Sequence, residues 1–97
     1  MVEHILLIRW TKQASPEAID RAMAGLRGLK DKIPGIVELS SGANFSDRSR
    51  GYTHGLCFRF TDRAALDAYF PHAAHQHVVQ SLLNPIRDEV LIVDYEF

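Results

Sequence analysis

The chain has 97 residues, 46% of them hydrophobic and 24% charged, with a formal net charge of -1. That balance predicts a single folded domain over residues 1–97 and excludes a disordered chain. Its eleven Lys and Arg residues are scattered rather than striped, so nucleic acid is not a predicted partner.

No apolar run approaches the roughly 20 residues that a membrane span requires, so no membrane partner is predicted. The opening Met-Val-Glu-His lacks the basic segment of a secretory signal, and a cytoplasmic location is expected. Residues 2–10 are rich in aliphatic and aromatic side chains and read as a strand. Ser15-Pro-Glu then predicts a helix start: serine caps free amides, proline fits the first turn, and glutamate suits the positive end of the dipole. Ile19, Ala22, Met23, Leu26, Leu29 and Ile33 fall on one apolar face, carrying the helix to about Lys32, where Pro34-Gly35 stops it.

A second strand is predicted from Ile36 to Phe45, with Ser40, Ser41 and Gly42 suggesting a bulge or an edge. The polar stretch 46–51 is a turn leading to a third strand, Tyr52 to Phe60. Asp62 caps a second helix from Arg63, which Pro71 interrupts. A further helical segment carries His72, His75 and His77 and ends near Asn84-Pro85, and the last strand runs from Glu89 to Tyr95. The order strand, helix, strand, strand, helix, strand predicts an α+β, ferredoxin-like βαββαβ fold with one four-stranded antiparallel sheet.

Side chains alternate along a strand, so parity sorts the sheet into two faces. One set contains His4, Leu6, Ile8, His54, Leu56, Phe58, Phe60, Val90, Ile92 and Asp94 and is assigned to the helices. The other contains Ile5, Leu7, Thr53, Gly55, Cys57, Leu91, Val93, Tyr95 and Phe97. Two helical regions cover only one face of a sheet, yet this second set is also apolar, which predicts a homodimer packed sheet to sheet as a dimeric α+β barrel. Cys57 reads as a small apolar residue rather than a nucleophile.

The first set places His4, His54 and Asp94 among apolar residues opposite the helices that carry Tyr69 and the histidine cluster. Asp beside His fixes the ring tautomer, and a tyrosine hydroxyl can donate to a developing oxyanion, so the group has the parts for removing a proton next to a carbonyl. Taken alone, His4 or His54 reads as a satisfied core residue. His72 and His75 lie one helical turn apart, but two such ligands do not make a metal site, and no metal or organic cofactor is predicted.

Gly51-Tyr-Thr-His54, Tyr69, His72-Ala-Ala-His75 and Leu91-Ile-Val-Asp-Tyr95, together with Val2-Glu-His-Ile-Leu-Leu-Ile8, make the chain resemble the stress-responsive A/B barrel domain (Dabb) family. That resemblance implies a ferredoxin-like fold dimerised through its sheets. Its enzymatic members include plant polyketide cyclases working by aldol condensation without a cofactor. The resemblance implies His75 as general base, Tyr69 as the group polarising substrate carbonyls, and Asp94 as the group orienting His75. His4 and His54 would line the same cavity, with Leu6, Ile8, Leu56, Phe70, Val90 and Ile92 as substrate-binding neighbours. Here His72-Ala-Ala-His75 replaces the cyclase pattern His-Pro-x-His, and Ala18, Ala22 and Met23 replace bulky aromatics, which implies a pocket of different shape.

Three functions therefore stand open on the sequence. The first is a cofactor-independent cyclase, isomerase or lyase acting on a small apolar carbonyl or phenolic compound through a histidine base. The second is a non-catalytic stress-associated homodimer for assembly or small-ligand binding. The third is a monooxygenase of the same dimeric barrel architecture, an analogy of fold alone.

Overall fold

The computed structural model describes residues 1–97. Strand β1 (Val2–Trp10) is followed by helix α1 (Pro16–Arg27), β2 (Ile36–Ala43), β3 (His54–Phe60), α2 (Arg63–Tyr69), α3 (Ala73–Val78) and β4 (Arg87–Glu96). The strands form one antiparallel sheet in the order β2-β3-β1-β4, the ferredoxin-like arrangement expected from the element order.

The helix ends follow from local chemistry. The Ser15 hydroxyl accepts from the Ala18 amide at 3.1 Å and the Asp62 carboxylate from the Ala65 amide at 2.8 Å, so each satisfies an amide that the first turn leaves free. The first helix runs as α-helix only to Arg27 and then tightens into a 3₁₀ turn over Gly28–Asp31, because glycine is a poor helix interior and the tighter turn uses up carbonyls at the end. Gly35, at φ 92°, turns the chain into β2, and a Cβ there would stand 2.7 Å from the Ala65 Cβ. Only glycine allows both the backbone angle and that approach of α2.

β2 is an edge strand, as its small residues suggest, but its bulge lies between Ile36 and Glu38 rather than at the Ser-Ser-Gly run. After α3 the chain makes one π turn over Val79–Leu83, closed by the Asn84 amide donating to the Val79 carbonyl at 2.8 Å. The wide turn swells the helix just where it lies over the sheet, and such turns mark functional sites more often than chance.

The two faces sort as parity predicts except at Ile92, which lies on the helix side yet is 48% exposed. Ile8, Phe58 and Phe60 have no exposed surface, and Leu6 and Leu56 are buried with them under Met23, Leu26, Leu29 and Leu66 from the helices. On the other face Leu91, Val93, Tyr95 and Phe97 are each about half exposed or more. Burying aliphatic and aromatic side chains contributes about 1.5–3 kcal/mol each, so the helix-covered face holds the fold together. No helix is long and apolar enough to cross a membrane.

Candidate active site

β1 and β4 are paired so that His4 stands opposite Asp94 and Leu6 opposite Ile92. His4 is only 2% exposed, and its Nδ1 donates to the Asp94 carboxylate. Phe58, Phe60, Tyr69 and Phe70 meet the imidazole edge to face, with ring centroids 5.5–6.2 Å away. A buried imidazole must have its polar atoms satisfied, and Asp94 does this for one nitrogen while leaving Nε2 free.

His75 enters the same space from α3. Its Nδ1 lies 2.9 Å from the Phe70 carbonyl oxygen, which can only accept, so Nδ1 carries the proton and Nε2 keeps a lone pair. Burial holds the ring below the ordinary imidazole range; the Phe70 carbonyl pulls the other way, and the rings of His4 and His72 add to the lowering. The ring is therefore neutral at pH 7 and able to accept a proton. Tyr69 lies against it, with centroids 4.3 Å apart. Burial pushes the Tyr69 hydroxyl above its ordinary value of 10.0, so it stays protonated at neutral pH.

His4 and His75 share a cavity of about 310 Å³. Leu6, Phe70, Val90 and Ile92 line it, as the sequence suggests, and so do Leu26, Val79, Leu83, Asn84 and Arg87, which sequence reasoning did not select. The α1 periodicity and the Asn84-Pro85 break were the available signals for Leu26 and Asn84; nothing in the pattern singles out Arg87. A larger depression, about 440 Å³, lies on the open sheet face against Leu7, Gly42 and Gly55. It is the hollow of a twisted sheet, bordered by His54 and Cys57 among small and apolar residues.

Four expectations change. Tyr69, expected to polarise substrate carbonyls, packs against His75 in the core and does not line the cavity. Asp94 holds His4, not His75, because strand pairing sets it directly across from His4 while the backbone of Phe70 takes the His75 proton. His54 does not reach the cavity: the Trp10 indole N–H donates to its Nδ1 at 2.9 Å, and the Thr53 hydroxyl lies 3.0 Å from the same atom. An indole nitrogen only donates, so the His54 lone pair is occupied and the ring is structural; burial keeps it below the ordinary imidazole range, partly opposed by Asp20. Ile8 and Leu56 lie in the packed core and do not line the cavity.

The other two histidines of the cluster have different duties. His72 caps α3 by accepting the Ala74 amide at Nδ1, 3.1 Å away, and His77 is exposed.

The family model described as "Stress responsive A/B Barrel Domain" matches residues 2–97. The chain belongs to this family. It is 30% identical to the stress-response A/B barrel domain-containing protein HS1 of Arabidopsis thaliana, over 98% of this chain and 88% of that protein. A crystal structure of an Arabidopsis thaliana protein superposes with a TM-score of 0.90 at 28% identity, covering 100% of this chain and 95% of that one. Within the same fold, a dimeric ferredoxin-like protein of unknown function from Jannaschia sp. CCS1 matches at TM-score 0.82 and 35% identity, covering 99% and 98% of the two chains. The hydroxynitrile lyase of Passiflora edulis shares the family's fold at TM-score 0.88 and 23% identity, over 97% of this chain and 90% of the lyase.

The open sheet face holds a second ionic group. Arg59 Nε donates to the Glu3 carboxylate at 2.5 Å, the Cys57 thiol donates to its other oxygen at 2.5 Å, and the Arg59 guanidinium lies 5.0 Å from the centroid of the Phe97 ring. Glu3 is shielded by this single layer of side chains rather than sunk in the core, so its partners outweigh desolvation and hold it below the ordinary 4.5. Cys57 is thus not simply apolar filling: burial and the adjacent carboxylate push its thiol up to about 11.

Proposed function

We propose that the protein is a cofactor-independent proton-transfer enzyme of the cyclase, isomerase or lyase type, acting on an enolisable carbonyl compound. His75 Nε2 removes the proton, and the electron pair left on carbon passes to the carbonyl oxygen. The Tyr69 ring, packed against His75 but not lining the cavity, holds the base in place. His75, protonated at Nε2 by that step, returns the proton to the product, and His4, held by Asp94 at Nδ1, presents a second imidazole nitrogen to the same space as an acceptor. The observation that carries this reading is the His75 Nδ1 contact with the Phe70 carbonyl, which leaves a neutral base in a cavity walled by apolar residues. That the fold also serves a hydroxynitrile lyase in Passiflora edulis supports a lyase-type reading by analogy.

The same reading places a homodimer on the open sheet face, where Leu91, Val93, Tyr95 and Phe97 are exposed and the small residues of β2 leave room for a second sheet. Neighbours of this fold are described as dimeric.

Incubating the protein with acetylacetone in D₂O and following loss of the α-proton signal by NMR tests the chemistry. The wild type is expected to exchange about 100-fold faster than His75→Ala, the usual scale of general-base help. Because burial lowers the His75 pKa below 6.5, the protein-dependent rate rises with pH, passes its half-maximal point below 6.5 and then levels off. Equal exchange by the two proteins would overturn the base assignment.

A further inference from the structure

The cavity is not a compact hole beside two histidines. It runs along β4 from the level of Asp94, opposite His4, to Arg87, opposite Trp10. Those levels are about 20 Å apart along the strand at about 3.4 Å per residue, and the two side chains reaching inward shorten the gap between their polar atoms. Between the ends the walls are apolar, with Leu6, Leu83, Val90 and Ile92 among them. The two ends differ in charge. At one, Asp94 puts a carboxylate behind His4. At the other stands a cation, and the carboxylates next to it in sequence, Asp88 and Glu89, are both held by Arg9 at 2.7 and 2.8 Å.

Arg87 is also positioned. Its Nε donates to the Asn84 carboxamide oxygen at 2.8 Å, which leaves the two terminal guanidinium nitrogens and the Asn84 NH₂ as donors at the same rim. That donor set matches a carboxylate, which accepts two parallel hydrogen bonds from one guanidinium. We propose that the groove binds an elongated amphipathic monocarboxylate, its anionic end on Arg87 and Asn84, its chain along β4, and its reactive carbonyl at His75. The acid end repels the anion and the basic end holds it, so the ligand enters in one direction. This assigns a substrate class to the proposed reaction and uses the same cavity, but its binding does not depend on His75 being a base.

Octanoate and octan-1-ol, which share one chain and differ in the charged end, are suitable probes in an NMR titration of amide shifts. Wild type is expected to bind octanoate about fivefold more tightly than the alcohol, the share left to an exposed ion pair after screening, with shifts at Asn84, Arg87 and Val90. Arg87→Gln brings octanoate down to the alcohol's affinity and leaves the alcohol unchanged; Arg63→Gln, on another part of the surface, changes neither. His75→Ala keeps the octanoate preference, so loss of proton exchange in that variant leaves this proposal standing. Equal affinity of the two probes for wild type, a preference that survives in Arg87→Gln, or no binding of either probe would each overturn it. Arg87 is exposed, and its replacement leaves the core untouched.

Discussion

The two faces of this sheet are made from similar residues and reach different ends. On the covered face Phe58, Phe60, Ile8 and Tyr69 are at most 1% exposed, and the chain completes the packing by itself except where α3 and the π turn leave the groove. On the open face Leu91, Val93 and Tyr95 stand 47–49% exposed around an ionic group. The lesson is that apolar content alone does not say where a core lies. What separates the faces is which of them the two short βα connections can reach.

The sharpest way to break the comparison is to cut into each face in turn. Phe58→Ala removes a side chain with no exposed surface, and should cost about 3–5 kcal/mol in urea unfolding because the hole cannot close. Val93→Asp should change the unfolding of a single chain far less, yet halve the sedimenting mass and remove the dependence of melting temperature on protein concentration. A Val93→Asp protein with the same mass as the wild type would overturn the proposed dimer on this face.

A smaller effect separates the faces chemically. In the Val93→Asp background, where no partner covers the face, Cys57 should react with iodoacetamide about 100-fold more slowly at pH 8 than a thiol of pKa 9.0, since its own lies near 11 and only the thiolate reacts. Glu3→Gln removes two of the causes that raise that pKa and should restore about tenfold of the rate. The Glu3 pKa is itself depressed, so its contribution to stability is full above about pH 4.5 and fades as the pH falls further.

Much of this was legible in the residues, and the failures are instructive. Parity alone separated Ile8 and Phe58 from Val93 and Tyr95, because a strand's period is fixed by its backbone. Ser15 and Asp62 announced their helices for the same reason: a cap acts within three residues. Partnerships across the sheet were harder. That Asp94 serves His4 follows from the β1/β4 register, and His54 meets Trp10 because Ile8 lies opposite His54 and Trp10 is two residues along, a diagonal neighbour within aromatic reach. Neither register is written in the composition of a single strand. Arg87 was invisible because its meaning comes from the groove it ends, not from its neighbours in sequence.

The π turn at Val79–Leu83 gives the groove a width that can be edited in single steps. A π turn is an α-helix with one residue too many, and the wider turn absorbs that residue as a local swelling while the chain on either side keeps its direction. Deleting Gln80 or Ser81 would restore a regular helix, which is the better local hydrogen-bonding pattern. It would also remove the swelling beside Leu83 and Asn84 and change the width of the groove there. A chain can therefore widen or narrow one end of this groove by a single codon, while the two imidazoles, placed by β1 and by α3, stay where they are.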